Sequence, residues 1–175
     1  MIAVVRQSTT RRMYLLFVAF VFLSAFGCAG PKVAADLLNQ VSPVDEPLVA
    51  NSVTVEAAID PRINNYERID ETLKQSLEIA LAKSNIFGTS STRSYRITGY
   101  ISVASQSAWS FGNFNGRLEV KYVVLDGAGK EILATTIYTV AGSDEWSFVG
   151  AKRHRRARAV NISKNVLEFV DILVA

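Results

Sequence analysis

Apolar and polar residues alternate from Ser52 to Ala57, with Val53, Val55 and Ala57 on one side and Thr54 and Glu56 on the other. A period of two predicts a half-buried strand, which Asp60-Pro61 ends. From Tyr66 to Lys83 the period changes. Ile69, Leu73, Leu77, Ala80 and Leu81 recur at helical spacing and share one face of an amphipathic helix, with Asn64 or Asn65 placed to cap its start. Alternation returns from Tyr95 to Val103, where Tyr95, Ile97 and Ile101 oppose Arg96, Thr98 and Ser102. Leu118 to Leu125 and Ile132 to Val140 begin by alternating and then turn apolar on both sides. Asp126-Gly127-Ala128-Gly129-Lys130 joins them as a hairpin, because glycine tolerates the positive φ such loops need. Ala159, Ile162, Val166, Phe169 and Leu173 then mark a closing amphipathic helix. The order strand, helix, three-strand antiparallel meander, helix predicts an α+β two-layer sandwich. Its four-stranded, mainly antiparallel sheet carries two helices on one face.

The chain ahead of this domain has a different pattern. Arg6, Arg11 and Arg12, with no acidic residue among them, precede an apolar run from Met13 to Gly27. A basic segment followed by a short apolar one is the pattern of a secretory signal. The run is shorter than the ~20 residues a membrane-spanning helix needs. Ala29 to Ala50, with Pro31, Pro43 and Pro47, reads as a tether in which Val33 to Gln40 can form a short helix. Fully extended it would reach roughly 70 Å. The expected organisation is a signal peptide over 1–27, a tether over 28–50 and a single α+β domain over 51–175.

Charge removes one class of function. The net charge is +3, but the signal contributes three arginines, which leaves sixteen basic residues against sixteen acidic ones. The basic balance belongs to the leader and gives no support to nucleic-acid binding. Cys28 is the only cysteine, so no intrachain disulfide can form, and no paired Cys/His spacing suggests a metal site or cofactor.

Ala25-Phe26-Gly27-Cys28 resembles the bacterial lipobox, although Ala25 and Phe26 stand where a larger aliphatic and a small residue are usual. The resemblance implies that the Cys28 thiol receives a diacylglycerol before the signal is cut, and that further acylation completes a stable anchor. Ala29 rather than Asp follows the cysteine, which by the same resemblance implies an outer-membrane lipoprotein facing the periplasm. Thr10-Arg11-Arg12-Met13-Tyr14-Leu15 also looks like a twin-arginine export motif. The strongly apolar run behind it suits the general secretory route better. The element order, carried by the helix Ile69 to Leu81, the meander through Asp126-Gly127 and the helix from Ala157, resembles small envelope lipoproteins. These include the YajG-like family and, more distantly, curli-secretion and transport-auxiliary lipoproteins. The resemblance implies an accessory or assembly role in the envelope, without catalysis.

Two segments stand out as candidate contact sites. Trp109-Ser110-Phe111-Gly112 and Trp146-Ser147-Phe148-Val149-Gly150 echo each other, each following a predicted strand. The first and third strands of a meander run the same way, so both segments are expected at one end of the domain. Lys152, Arg153, Arg155, Arg156 and Arg158 follow directly. At a helix N-terminus such cations oppose the macrodipole. Either the helix starts near Ala157 or the cluster has a partner. The functional reading is an aromatic and basic end, bearing Trp109, Phe111, Trp146, Phe148 and the 152–158 cations, that contacts an envelope protein complex or an anionic lipid or glycan. The plainer reading is that the aromatics seal the core while acids, among them Asp144 and Glu145, neutralise the arginines. His154, the only histidine, has no nucleophile and acid arranged around it in sequence, and no hydrolase motif is present, so an envelope hydrolase is the weakest reading. A further reading is a homo-oligomer built by edge pairing, for which Val120 to Leu125 and Ile132 to Val140 are suitably apolar.

Overall fold

The computed structural model describes residues 33–65, 67–106, 114–143 and 150–175, the side chains of 91, 92, 106, 114, 115, 142, 143 and 150–153 apart. All of these belong to the second of two compact units, 31–175. In chain order they form helix α1 (Ala35–Leu38), strand β1 (Val49–Ile59), helix α2 (Ile69–Ser84), strands β2 (Phe87–Gln106), β3 (Phe114–Leu125) and β4 (Glu131–Ser143), and helix α3 (Gly150–Val174).

The fold is α+β, and its sheet is mixed. The strand order is β1-β2-β3-β4, with β1 parallel to β2 and the other two pairings antiparallel. Parallel pairing follows from α2, since a helix between two neighbouring strands carries the chain back to the end where the first strand began. β2 is longer than its alternation predicted. Its pairing with β1 slips between Asn51↔Ser90 and Val53↔Tyr95, so it consists of two halves counted here as one strand. A bulge at Ser102 follows, because Ile101 faces Val120 while Val103 faces Glu119. The Ser102 hydroxyl donates to Glu119 Oε1 at 2.5 Å there. The extra residue turns Val103 outward and lets Ala104 rejoin the core side.

The core lies between the sheet and the two long helices. Ile97 and Ile101 of β2, Val120, Tyr122 and Val124 of β3, and Ile137 of β4 meet Leu73 and Leu77 of α2 and Ile162, Val166 and Phe169 of α3. These are the faces that the alternation and helical spacing pick out. Gly99 of β2 is buried where α2 crosses the sheet. A Cβ there would come within 3.0 Å of Leu73 and 3.4 Å of Tyr122, so glycine sets how closely helix and sheet approach. α2 begins three residues later than its pattern suggests. Asn65 caps it, its Oδ1 accepting the Ile69 N–H at 2.7 Å. In the β3–β4 connection only Gly129 takes the positive φ, at 81°.

One expectation is corrected. Residues from 33 onward are not a free tether. Ala34 and Leu38 are fully buried, and Val33 and Val41 pack against the same core. The Val44 N–H donates to the Ser84 carbonyl at 2.9 Å, and Asn85 Nδ2 donates to the Val44 carbonyl at 3.1 Å. The few apolar residues between the prolines fill the groove between α2 and α3, which a sequence window this short does not disclose. A second correction concerns edge pairing: β3, which contains Val120 to Leu125, is an interior strand and has no free edge.

Two carboxylates organise the turns. Asp60 ends β1 by accepting the Arg62 N–H at 2.9 Å and a two-point bond from the Arg62 guanidinium at 2.9 and 2.7 Å. Asp126 accepts the N–H groups of Ala128 and Lys130 at 2.8 and 2.9 Å. The Arg62 hydrogen bonds hold the Asp60 carboxyl well below the usual carboxylate range, and the backbone donors lower that of Asp126. A lowered pKa means that each contribution is complete above the unfolded-state value, near 4, and is lost as pH falls through the folded value. The urea midpoint is therefore expected to gain nothing from these groups on raising the pH from 5 to 8, and to fall below about pH 4. Asp60→Asn combined with Asp126→Asn should flatten that acid limb.

Candidate functional site

The strands that the two Trp-Ser-Phe segments follow in sequence, β2 and β4, end at the same end of the sheet, flanking the start of β3. Gln106 at the end of β2 faces Gly116, and Phe114 at the start of β3 faces Ser143 at the end of β4. Trp109, Phe111, Trp146 and Phe148 themselves lie outside the described residues, as do Asp144 and Glu145. What the structure fixes is that β2 and β4, the strands these segments follow in sequence, finish at the same end of the sheet on either side of β3.

α3 starts at Gly150, so its cations do occupy the first turns, and the alternative start near Ala157 is excluded. The conflict with the macrodipole is relieved by acids from elsewhere in the chain. Arg156 donates to both carboxylate oxygens of Asp36 in α1, at 3.0 and 2.6 Å. Arg158 donates to Glu67, just ahead of α2, at 2.8 Å. The Arg156 hydrogen bond lowers the Asp36 pKa. Each pair is partly solvated and screened, so each contributes little to stability. Their effect is to fasten α1 and the approach to α2 onto α3. His154 and Arg155 are half-buried on the same turns and already engaged. Lys152 and Arg153 lie in the helix. The cluster therefore divides: Arg156 and Arg158 are part of the fold's own bonding, while Lys152 and Arg153 stand earlier in the same helix.

Deeper in the same end, Asn161 Nδ2 donates to the Gly116 carbonyl at 2.8 Å, closing α3 onto β3. Asn161 Oδ1 is buried without a hydrogen-bond partner among the described residues. It borders a recess of about 10 Å³ that Ser105, Arg117 and Arg158 also line. That volume accommodates one water, which would satisfy the carbonyl, and no substrate.

One helical turn further on, Asn165 carries a polar cluster that the sequence reading missed. Its Oδ1 accepts from the Tyr122 hydroxyl at 2.7 Å, and its Nδ2 donates to the Ile137 carbonyl at 3.1 Å and Thr139 Oγ1 at 3.2 Å. The Tyr122 ring stacks on Phe169 with centroids 4.0 Å apart. Burial, and then the nearby Glu168 charge, push the Tyr122 pKa up, so its hydroxyl stays protonated and serves as a donor. The available signal was Asn161 and Asn165 four apart on an otherwise apolar helix face. The hydrogen bonds of the cluster run between its own buried members, and it acts in packing. Among the described residues no group of three or more His, Cys, Asp or Glu is placed to hold a metal ion.

The path of α1 matters for what this end does. Asp36 meets Arg156 near the start of α3, whereas Gln40, Val41 and Ser42 border a groove with Leu167, Val170 and Asp171 near its end. The chain therefore joins the domain at the end of α3 that carries its cations, close to the strand ends that the aromatic segments follow in sequence.

No family model and no curated protein matches this chain. Solved structures do. Protein XCC0632 from Xanthomonas campestris, of the DUF330 family, is similar with a TM-score of 0.56 at 13% identity, over 80% of this chain and 90% of that one. A minor lipoprotein from Acinetobacter baumannii is similar with a TM-score of 0.50 at 11% identity, over 71% of this chain and 94% of that one. At these identities the likeness is one of fold, and that fold occurs in a bacterial lipoprotein.

Proposed function

We propose that this chain is a bacterial envelope lipoprotein, anchored through Cys28, that has no catalytic role and presents its aromatic and basic end to the membrane surface. The observation that carries the reading is where the packed domain begins. Val33 already lies against the core, five residues beyond Cys28. Five residues span at most about 18 Å. An acylated Cys28 would therefore hold Val33 within that distance of the bilayer, on the side of the domain where Asp36 meets Arg156. Trp109, Phe111, Trp146 and Phe148 on the connections after β2 and β4 suit the interface between water and lipid. Lys152 and Arg153 add attraction to anionic headgroups, roughly 1 kcal/mol each. The fold shared with the Acinetobacter baumannii lipoprotein supports the anchored reading, and Ala29 after the cysteine supports sorting to the outer membrane, facing the periplasm.

The test is intact mass and membrane fractionation of the expressed protein beside Cys28→Ser. The wild type is expected to gain a lipid-sized mass and sediment with membranes, and the variant to lose both. A soluble wild type of unmodified mass would overturn the anchor. On vesicles containing anionic lipid, Lys152→Glu with Arg153→Glu should weaken binding by about thirtyfold or more without moving the unfolding midpoint, the loss expected for two headgroup contacts of about 1 kcal/mol each.

A further inference from the structure

We propose that the outer edge of β4 pairs with the same edge of a second copy, antiparallel about a two-fold axis at Thr136, to form one continuous eight-stranded sheet. This goes beyond the anchored reading and does not depend on it.

Among the described residues β4 is an edge strand whose one neighbour is β3. Natural edge strands are blunted by lysine, by proline, by inward charge or by shortness, because an open row of N–H and C=O groups templates further pairing. β4 has none of these. It is thirteen residues long, without lysine or proline, and its single charge, Glu131, stands at its start. Its one irregularity, near Ile132, leaves Leu133 to Ser143 in unbroken register with β3. The side chains on its outer face are Ile132, Ala134, Thr136, Tyr138 and Val140, all exposed. Ile132, Tyr138 and Val140 are 54%, 52% and 53% exposed. The neighbouring row on β3 is Arg117, Glu119, Lys121 and Val123, which is the ordinary composition of a solvated face. Beyond that row, Tyr100 and Val103 of β2 are also exposed, at 37% each, so the apolar edge row is separated from them by a mostly charged strand face.

The row is matched to its own reverse. With Thr136 facing the partner's Thr136, Ala134 faces the partner's Tyr138, and Ile132 faces the partner's Val140. These are small–aromatic and β-branched pairs on one face, a combination that stabilises antiparallel neighbours. Glu131 then faces the partner's Ala141, so no like charges oppose. Nine residues make an edge about 30 Å long, and a sheet and a helix layer together are about 20 Å deep. The contact covers about 600 Å² per partner, somewhat below the ~800 Å² of a standard stable interface. A second copy is the occupant this symmetry and charge pattern select, with an association that dilution reverses.

The experiment is disulfide trapping of the full chain in the cells that produce it, with the parent, whose one thiol is Cys28, as background. Residues facing each other across an antiparallel pair have Cα atoms about 4.5–5.5 Å apart, within reach of a disulfide. Ala134 and the partner's Ala134 would be offset by four residues, about 13 Å. Under oxidant, Thr136→Cys is expected to give a homodimer at least tenfold above the parent. Ala134→Cys and Tyr138→Cys should stay at background singly and crosslink when expressed together. Adding Thr136→Lys to that mixture should remove the crosslink, and because Thr136 is exposed the fold tolerates it. Equal crosslinking from all single variants, no product from Thr136→Cys, or a product with a different protein in place of the homodimer would each overturn the proposal.

Discussion

Asn165→Ala is expected to destabilise the domain by about 3–4 kcal/mol, read as a lowered midpoint in urea unfolding followed by circular dichroism. Asn165 is completely buried and holds three groups at once: the Tyr122 hydroxyl, the Ile137 carbonyl and Thr139 Oγ1. Truncating it leaves all three without their partner where water cannot replace it, and an orphaned buried polar group costs about 1–3 kcal/mol. The contributions do not add in full, because the side chains relax together. Tyr122→Phe removes one member and leaves Asn165 its two donor bonds, so it should cost only about 1 kcal/mol. In Asn165→Leu the hydroxyl of Tyr122 stays orphaned, and adding Tyr122→Phe should recover part of the loss. If the double variant is as unstable as the sum of the singles, the two side chains are not coupled and the cluster does not act as a unit.

Leu38→Ala is expected to cost about 2–4 kcal/mol and to release α1. A free tether would show no change, so the result separates the two descriptions of residues 33–48. Leu38 is fully buried in the cluster that unites the helices with the sheet, and its truncation leaves a cavity between α2 and α3. Asp36→Ala should move the urea midpoint far less than Leu38→Ala, because the Asp36 side chain is 58% exposed and its pair with Arg156 is screened. Hydrogen exchange gives a second reading. The amides of Asn39 and Val44, which donate to the carbonyls of Ala35 and Ser84, should lose protection in Leu38→Ala ahead of the strands. The consequence reaches the proposed function, because a released α1 returns roughly fifteen residues of slack to the anchor. The end that carries Lys152 and Arg153 would then no longer be held near the bilayer, and vesicle binding of the anchored protein should become insensitive to those two charges.

The division of the basic cluster bears on any mutational study of it. Replacing Arg156 and Arg158 removes the bonds to Asp36 and Glu67 and loosens helix packing, whatever the chain binds. Substitutions at Lys152 and Arg153 test the proposed contact surface without removing those two bonds.

Much of the architecture was legible in the chain. Period-two alternation located all four strands, because a side chain on a pleated strand is either in or out. Helical spacing located both long helices for the matching reason, an apolar stripe that must be buried. Those readings hold at Ile97, Ile101, Val120, Ile162 and Val166, each of which is buried where its period placed it. Position along the chain likewise had β2 and β4 finish at one end of the sheet, where Gln106 faces Gly116 and Ser143 faces Phe114.

Other features were settled by contacts between residues far apart in sequence, which no local period encodes. Leu38 reads as one apolar residue among prolines until α2 and α3 offer it a groove. Arg156 and Arg158 read as a single charge run until Asp36 and Glu67, more than ninety residues earlier, arrive beside them. Asn165 looks like a polar interruption until Tyr122 and Thr139 surround it. β3 and β4 are equally apolar as sequences, yet pairing order buries both edges of one and leaves an edge of the other open. The sequence alone determined the elements, their order and the faces they bury, because those follow from short-range periodicity. Only the tertiary structure decided which charges are already paired, where the domain begins and which strand lies at the edge, because each depends on which distant segments come to share a neighbour.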